Sequence, residues 1–284
     1  GGWRPDPTQM GQMPDSAGGL GPIAAQVAAP LTQEELMGKA NAWPEGEIAL
    51  NPRAKVNLKL IHIEEVSHNT RIFTYALPSP DHVLGLPVGK HVLISARVDD
   101  KPVMRAYTPL STNNDRGVLR MLIKVYFKTD LFPKGGILSQ NLNDMQIGES
   151  IAVKGPIGHV MYRGNGEYTV NKTTYHAKKL VLLAGGTGIT PMWQVMLAVL
   201  NDPTDPTMIY LVFANSTLDD VLLFKEIEAL ASMHPDRLKV WFTLSVPPLE
   251  PVQQKRRHTK TWGKLFKGAF SQLQSGLGSQ QNLG

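Results

Sequence analysis

With 284 residues, 42% of them hydrophobic, the chain can bury one or two ordinary cores, and it contains neither an apolar run of membrane-spanning length nor an apolar leader segment. It has no cysteine, which rules out disulfides, thiolate metal sites and cysteine nucleophiles and fits a reducing, cytoplasmic setting. Six of its 29 basic residues (Lys255, Arg256, Arg257, Lys260, Lys264 and Lys267) lie in the acid-free stretch 251–284, so the net charge of +5 becomes 23 basic against 24 acidic residues over 1–250, a balance of −1 that gives no support to a nucleic-acid face.

Residues 1–50 are rich in Gly, Pro, Ala, Met and Gln and read as a flexible linker or leader, with a short helical pattern at Leu31–Lys39. From Val56 the texture changes. Val56–Val66, Thr70–Leu77, His91–Val98, Met104–Thr108, Leu119–Tyr126 and Ser150–Gly155 are short, branched or aromatic segments punctuated by Pro, Gly, Asp and Asn. Alternation in Arg71-Ile-Phe-Thr-Tyr-Ala-Leu77 and His91-Val-Leu-Ile-Ser95 predicts an antiparallel barrel or sandwich over 51–165. A polar bridge, hairpin or loop follows at 162–177, with 166–177 as the connection between two domains.

At Lys178 the period changes again. The apolar run Leu180–Leu183 predicts a buried parallel strand, and Pro191–Leu200 a helix with Thr190 as its cap and Pro191 at its first position. Thr207–Phe213 reads as a second strand, Asp219–Met233 as a second helix and Leu238–Leu244 as a third strand. The order strand, helix, strand, helix, strand predicts an open parallel sheet over 178–250. With three strands, it is a thin α/β domain.

Several segments carry chemistry. Gly185-Gly-Thr-Gly188 lies at the carboxyl end of the first parallel strand, where α/β sheets bind ligands and a helix start directs N–H groups at phosphate. It matches neither GxGxxG nor a GK[ST] phosphate loop, and a tight strand-to-helix turn would look the same. Asp219 and Asp220, past the second strand, fit either a ribose-binding carboxylate or helix caps. Arg105 and Tyr107 alternate onto one face of a strand, where a guanidinium suits pyrophosphate and a ring suits a planar cofactor; a surface Arg and a core Tyr are the plainer alternative. Lys124 and Tyr126 repeat the arrangement, and Gly135, Gly136 and Ser139 open another helix start. The eight histidines show no metal-ligand spacing, and no Ser/His/Asp set assembles, so no metal site is expected and hydrolase chemistry is disfavoured.

In combination, Arg105-Ala-Tyr-Thr-Pro-Leu-Ser111, Ile123-Lys-Val-Tyr-Phe-Lys128, Gly135-Gly136 through Ser139, Gly155-Pro-Ile-Gly158 and Gly185-Gly-Thr-Gly-Ile-Thr-Pro191 resemble the flavin–NADH module of the cytochrome b5 reductase family, over about Asn51–Leu244. Leu77–His91, Gly158-His159 and Ala177–Leu180 are particularly similar to the module that ends the eukaryotic assimilatory nitrate reductases. The resemblance implies an all-β plus α/β protein, ferredoxin-reductase-like, with an antiparallel FAD barrel ahead of an incomplete parallel-sheet NADH domain. It also implies an electron-transferring flavoprotein oxidoreductase of nitrate assimilation that passes electrons from NADH through FAD to a b-type haem domain. That acceptor would belong to the same parent chain, in a family often dimeric through regions absent from this sequence.

On the same resemblance, Arg105 holds the FAD pyrophosphate, and Tyr107 and Thr108 lie against the flavin and its ribityl chain. Lys124, Val125 and Tyr126 line the cleft, while Gly135, Gly136, Leu138 and Ser139 take the pyrophosphate at a helix start. Gly185, Gly186, Thr187, Gly188 and Pro191 form the NADH-side turn, and Asp220 favours an unphosphorylated adenine ribose. Thr190 stands near the reactive flavin edge, and Thr190 and Lys124 are the catalytic pair.

After Leu244 the family pattern, including a Cys-Gly-Pro-Pro segment, is not recognisable, and the expectation is a truncated NADH domain with weakened or absent NADH turnover. The tail 251–284 is basic and atypical, with Trp262, Leu265, Phe266, Ala269, Phe270 and Leu273 at helical spacing. That stripe suits a membrane surface or a partner groove. A helix folded back over the incomplete sheet is another reading. An aberrant end from a shifted frame or retained intron is favoured, because the break after Leu244 coincides with the loss of a recognisable pattern. The alternative function is a non-catalytic binding or regulatory protein that uses the barrel and this tail.

Overall fold

The computed structural model describes residues 46–98 and 100–246; most of the expected leader and the whole basic tail, including its apolar stripe, lie outside the described residues. Six strands form the first sheet: β1 (Val56–Ser67), β2 (Thr70–Ala76), β3 (His91–Val98), β4 (Lys101–Tyr107), β5 (Val118–Lys124) and β6 (Ser150–Ile157). Their order is β4-β3-β6-β1-β2-β5, and every neighbouring pair is antiparallel. Alternate residues face one core, which includes Leu58, Leu60, Phe73, Tyr75, Ile94 and Met121. Helix α1 (Ile137–Asp144) adds Leu138 and Leu142 to it.

The expected barrel is not formed. β4 and β5 stand at opposite edges of the sheet and do not pair. Alternation reports that one face of each strand is buried, which holds equally for an open sheet; closure further requires the edge strands to meet at matched tilt and stagger. β4 is exposed at five of its seven positions and carries Pro102, which has no N–H to donate, as suits an edge. Among the described residues no strand pairs with β4 on the side away from β3, and the chain crosses to β5 through a loop held by the Leu110 N–H to the Arg120 carbonyl (2.8 Å). Pairing begins just before β1: the Ala49 N–H donates to the Val83 carbonyl and the Leu50 N–H to the Leu84 carbonyl, and both apolar side chains join the core.

The bridge region folds as a three-stranded antiparallel meander, β7 (Val160–Gly164), β8 (Glu167–Val170) and β9 (Thr173–His176). Its first turn is Asn165-Gly166, both at positive φ (53° and 76°), the pairing that a tight right-twisted hairpin requires. The third sheet is parallel in the order β10 (Lys179–Gly185), β11 (Met208–Asn215), β12 (Leu238–Leu244). Helices α2 (Ile189–Leu200) and α3 (Phe224–Met233) connect its strands. Ile209, Leu211 and Phe213 pack with Ile189, Met196, Val199, Ile227 and Leu230, so both helices serve one face of the sheet.

Three local expectations change. The run Leu180–Leu183 is not buried on both faces: Val181 is 49% and Leu183 68% exposed, because β10 is an edge among the described strands and the helices cover only the opposite face. Helix α2 starts at Ile189 with Gly188 as its N-cap, so Thr190 is inside the helix and Pro191 is third. Proline is tolerated there because the first-turn N–H groups have no intrahelical acceptor. The expected helix from Asp219 is instead a short 3-10 turn, Leu218–Asp220, followed by Leu223 in the left-handed region (φ 55°) and then α3. Thr217 captures the Asp220 side chain and closes that turn separately.

The two halves touch along a seam. The Gly89 N–H donates to Gln194 Oε1 (2.7 Å), and the Tyr162 N–H to the Val88 carbonyl (2.9 Å). Ile72 and Leu122, from the antiparallel sheet, are buried in the core of the parallel half. Below the seam, the buried Asp205 carboxylate accepts from the Tyr162 hydroxyl (2.5 Å), the Asn165 N–H (2.9 Å) and the Thr207 N–H (2.9 Å).

Candidate functional site

On β4, Arg105 pairs in register with Ile94 and Tyr107 with Val92, so both side chains leave the same face of the edge strand. Arg105 is exposed, and its Nη1 donates to the Met104 carbonyl at 2.8 Å. Tyr107 is half-buried. Burial pushes its hydroxyl pKa up, the Arg105 charge pulls it down, and Tyr126 pushes it up, an interplay that brings all three residues into one neighbourhood. Thr108 follows at the strand end. Ser111 is buried, with its Oγ accepting from the Arg120 N–H (3.0 Å), so it braces the loop.

The end of β5 is fastened from both sides. The Val125 N–H donates to the Asn69 carbonyl (2.7 Å), the Tyr126 N–H to Ser139 Oγ (3.1 Å), and the Gly136 N–H to the Tyr126 carbonyl (2.7 Å). Ser139 Oγ in turn donates to the Gly136 carbonyl at 3.0 Å. The start of α1 is thereby laced against Tyr126. Val125 and Leu138 are buried and turn their side chains inward, leaving backbone as their contribution to any cleft. Tyr126, Phe127 and Phe132 remain exposed beside them.

On the parallel side, Gly185 ends β10 beside Ala214, and Gly186–Gly188 form a 3-10 turn that packs against β5. Gly186 has φ 50°, and where a Cβ would stand on Gly186 or Gly188 there is no neighbouring atom within 4 Å. Thr190 is buried, its Oγ1 donating to the Thr187 carbonyl (3.2 Å). Asp220 carries two sets of partners. Its Oδ2 accepts from Thr217 Oγ1 (2.8 Å) and the Thr217 N–H (3.1 Å), while Oδ1 lies 3.6 Å from Lys124 Nζ. The Thr217 hydroxyl leads the causes that hold the Asp220 carboxyl below the usual carboxylate range; its N–H and the Lys124 charge add to it, against partial burial.

The fold thus brings Lys124, from the antiparallel half, to Asp220, from the parallel half, with the Gly186–Gly188 turn against the same strand. Sequence reasoning named these residues but passed over Thr217, Gln194 and Asn215. Asn215 closes β11 at its carboxyl end, is 7% exposed, and neither polar atom of its carboxamide has a hydrogen-bond partner. A polar residue ending the apolar run of β11 was the available signal. The open approach to Gly186 and Gly188, together with this unpaired carboxamide at the strand ends, fits a phosphate-bearing dinucleotide. Exposed guanidinium, aromatic rings and a laced glycine helix start fit a planar cofactor with a pyrophosphate on the other side of the cleft. Among the described residues, no group of three or more His, Asp and Glu converges as a metal site, and no helix is long and apolar enough to cross a membrane.

Two family models match the chain: an oxidoreductase FAD-binding domain over residues 57–162 and an oxidoreductase NAD-binding domain over 182–268, the latter reaching past Leu244. Nitrate reductase [NADH] of Solanum lycopersicum is 49% identical over 203 residues, which is 71% of this chain and 22% of that protein. Nitrate reductase [NADH] of Volvox carteri is 51% identical over 201 residues, 70% of this chain and 23% of that one. The chain therefore spans less than a quarter of the length of these curated relatives. Among solved structures, the cytochrome b5 reductase domain of Ulva prolifera nitrate reductase superimposes with a TM-score of 0.69 at 42% identity, covering 71% of this chain and 78% of that one.

Proposed function

Because this chain belongs to the cytochrome b5 reductase-like family of FAD- and NADH-dependent oxidoreductases, we propose that its cleft seats FAD against the antiparallel sheet and NADH against the parallel one, and that it passes the electrons on to a b-type haem domain. The observation that carries this reading is the meeting of Lys124 and Asp220 at 3.6 Å, which sets the two binding faces edge to edge. Bound flavin supplies the hydride acceptor and the conversion of a two-electron donor into one-electron steps.

The chain's own residues bind and orient. Arg105 presents a two-pronged donor to pyrophosphate, and Tyr107 with Thr108 lies beside it on the edge strand. At the start of α1 the amides of Ile137, Leu138 and Ser139 face outward for pyrophosphate, while the N–H groups of Gly135 and Gly136 donate to the Phe132 and Tyr126 carbonyls and hold the segment in place. Across the cleft, Gly185, Gly186, Thr187 and Gly188 admit phosphate to the backbone, with Thr190 and Pro191 fixing the first turn of α2. Asp220 accepts from ribose hydroxyls, and its fixed negative charge opposes a 2′-phosphate. Lys124, tethered by the Asp220 carboxylate, keeps a cation over the cleft. No side-chain acid or base is needed for the hydride step, so the site works by placing two rings and excluding water.

Anaerobic stopped-flow mixing of the FAD-loaded 284-residue chain with NADH tests the proposal. Because the NAD-binding family match continues past Leu244 to residue 268, the expected result departs from the weakened or absent turnover anticipated from the sequence: bleaching of the flavin absorbance that saturates with NADH concentration, followed by reduction of an added cytochrome b5 haem domain. Flavin that stays oxidised at high NADH would overturn the hydride step; bleaching with no haem reduction would overturn the acceptor.

A further inference from the structure

A carboxylate on an aspartate side chain has two equivalent oxygens and a rotatable bond, so by itself it does not dictate which oxygen meets a ligand. At Asp220 that equivalence is broken. Both the hydroxyl and the backbone N–H of Thr217 donate to Oδ2, at 2.8 and 3.1 Å, and the reciprocal capping arrangement holds the side chain over its own turn. Oδ1 is left to face Lys124 at 3.6 Å, longer than the roughly 2.7–2.9 Å of a close charged hydrogen bond. The pair is shielded but not sealed, with the Asp220 side chain 15% and the Lys124 side chain 27% exposed.

We propose that Thr217 is a positioning residue of the dinucleotide site: by fixing Oδ2 of Asp220 it aims Oδ1 at the adenosine ribose hydroxyls beside Lys124 and so sets the preference for the unphosphorylated ribose. The inference rests on the reading of Asp220 as the ribose carboxylate. A carboxylate that swings freely spends binding free energy on being ordered and turns away from an incoming 2′-phosphate, whereas one pinned by two donors does neither. Thr217 lies two residues past the end of β11, and the Val246 N–H donates to the intervening Ser216 carbonyl (2.8 Å), so the segment leading to Thr217 is tied to the chain beyond β12. That tie makes Thr217 a fixed point from which the carboxylate can be aimed.

The test uses the full FAD-loaded chain and equilibrium binding of NAD+ and NADP+ by titration calorimetry, with the parent protein, Thr217→Val, Thr217→Ser, Thr217→Cys and Asp220→Asn. The parent is expected to prefer NAD+. Thr217→Val should weaken NAD+ binding about tenfold without weakening NADP+ binding, Thr217→Cys should fall between, and Thr217→Ser should restore the preference to within about twofold. In steady state the same loss should appear in KM for NADH with kcat unchanged. Thr217→Val binding NAD+ as the parent does, while Asp220→Asn loses its preference, would overturn the role of Thr217 and leave that of Asp220 standing. Parent-like preference in Asp220→Asn would overturn the ribose reading and this inference with it. Should Thr217→Val fail to fold, the Ser and Cys variants decide, and equal NAD+ affinities for those two would overturn the proposal.

Discussion

Gly135 and Gly136, at the antiparallel side of the cleft, have no room for a side chain, whereas Gly186 and Gly188, on the parallel side, have nothing within 4 Å of where one would stand. A Cβ on Gly135 would lie 2.5 Å from Gln140 Nε2 and 2.6 Å from the Tyr126 carbonyl oxygen, at φ 61°; one on Gly136 would run into Ser139 Oγ and stand 2.9 Å from Tyr126 Cβ. The first pair is glycine because the fold leaves no alternative. For the second, Gly186 has a backbone reason in its φ of 50°, but Gly188 has an ordinary helical φ of −61° and no steric one. What remains for Gly188 is close approach by something other than the chain. The same residue type thus marks a packed turn on the antiparallel side and an open one on the parallel side.

Gly135→Ala puts the crowded side to its most severe test. A left-handed non-glycine residue costs roughly 1–2 kcal/mol, and crowding against a backbone oxygen adds a similar amount, so a loss of about 3 kcal/mol is expected. Urea unfolding of the chain would read it, together with looser FAD retention, since Tyr126 and Gln140 are the atoms displaced. An unchanged midpoint would mean that the Tyr126–Gly136 lacing yields easily and that the two sides are alike after all. Gly188→Ala should do the reverse. At a helix N-cap with free space the change in stability stays within about 0.5 kcal/mol, as the loss of cap preference and the gain in chain stiffness offset each other. NAD+ affinity should nonetheless fall about tenfold, because a methyl group intrudes where phosphate oxygens would meet backbone N–H groups. Unaltered NAD+ binding by calorimetry would remove the open turn from the site.

The glycine contrast was not legible in the residues, where both pairs read as helix starts, but many of the elements were, and the illegible part has a physical pattern. Strand β3 was read at its observed ends, and β12 likewise, because period-two alternation or a short apolar run between turn residues is a local property. Arg105, Tyr107, Lys124, Tyr126, Ser139, the Gly185–Gly188 turn and Asp220 were singled out for their chemistry, and the fold sets Lys124 beside Asp220. Barrel closure failed as an expectation because whether β4 meets β5 depends on tilt summed over six strands, which no single strand encodes. The exposed outer face of β10 was missed for a similar reason: Leu180–Leu183 records apolar side chains and not which face the helices cover. Thr217 and Asn215 escaped because their significance lies in a partner, present for one and lacking for the other.

The smallest expected effect separates the two halves by their buried phenols. In the antiparallel core, Tyr75 is fully buried with no partner for its hydroxyl, and burial, reinforced by Tyr107, pushes its pKa well up. At the seam of the parallel half, Tyr162 is pushed up to about 12 by burial and by its bond to Asp205, against weaker pulls from Thr207 and Gly166. In both cases the folded state favours the neutral phenol, while the unfolded chain ionises near the ordinary value of about 10. The unfolded state therefore binds fewer protons above that pH, and the stability from Tyr162 is whole below pH 10 and is lost as pH rises toward about 12. At neutral pH the two phenols part company. Tyr162→Phe leaves Asp205 one donor short and the Gly166 N–H without its acceptor, a cost of about 1 kcal/mol or slightly more. Tyr75→Phe removes an unpaired buried hydroxyl, so it should be neutral or mildly stabilising. Urea midpoints at pH 7 and across pH 9–12 for both variants check the pair. A Tyr75→Phe variant as destabilised as Tyr162→Phe would show that the antiparallel core holds its phenol by a bond of its own, and that the two halves bury polar groups by one rule.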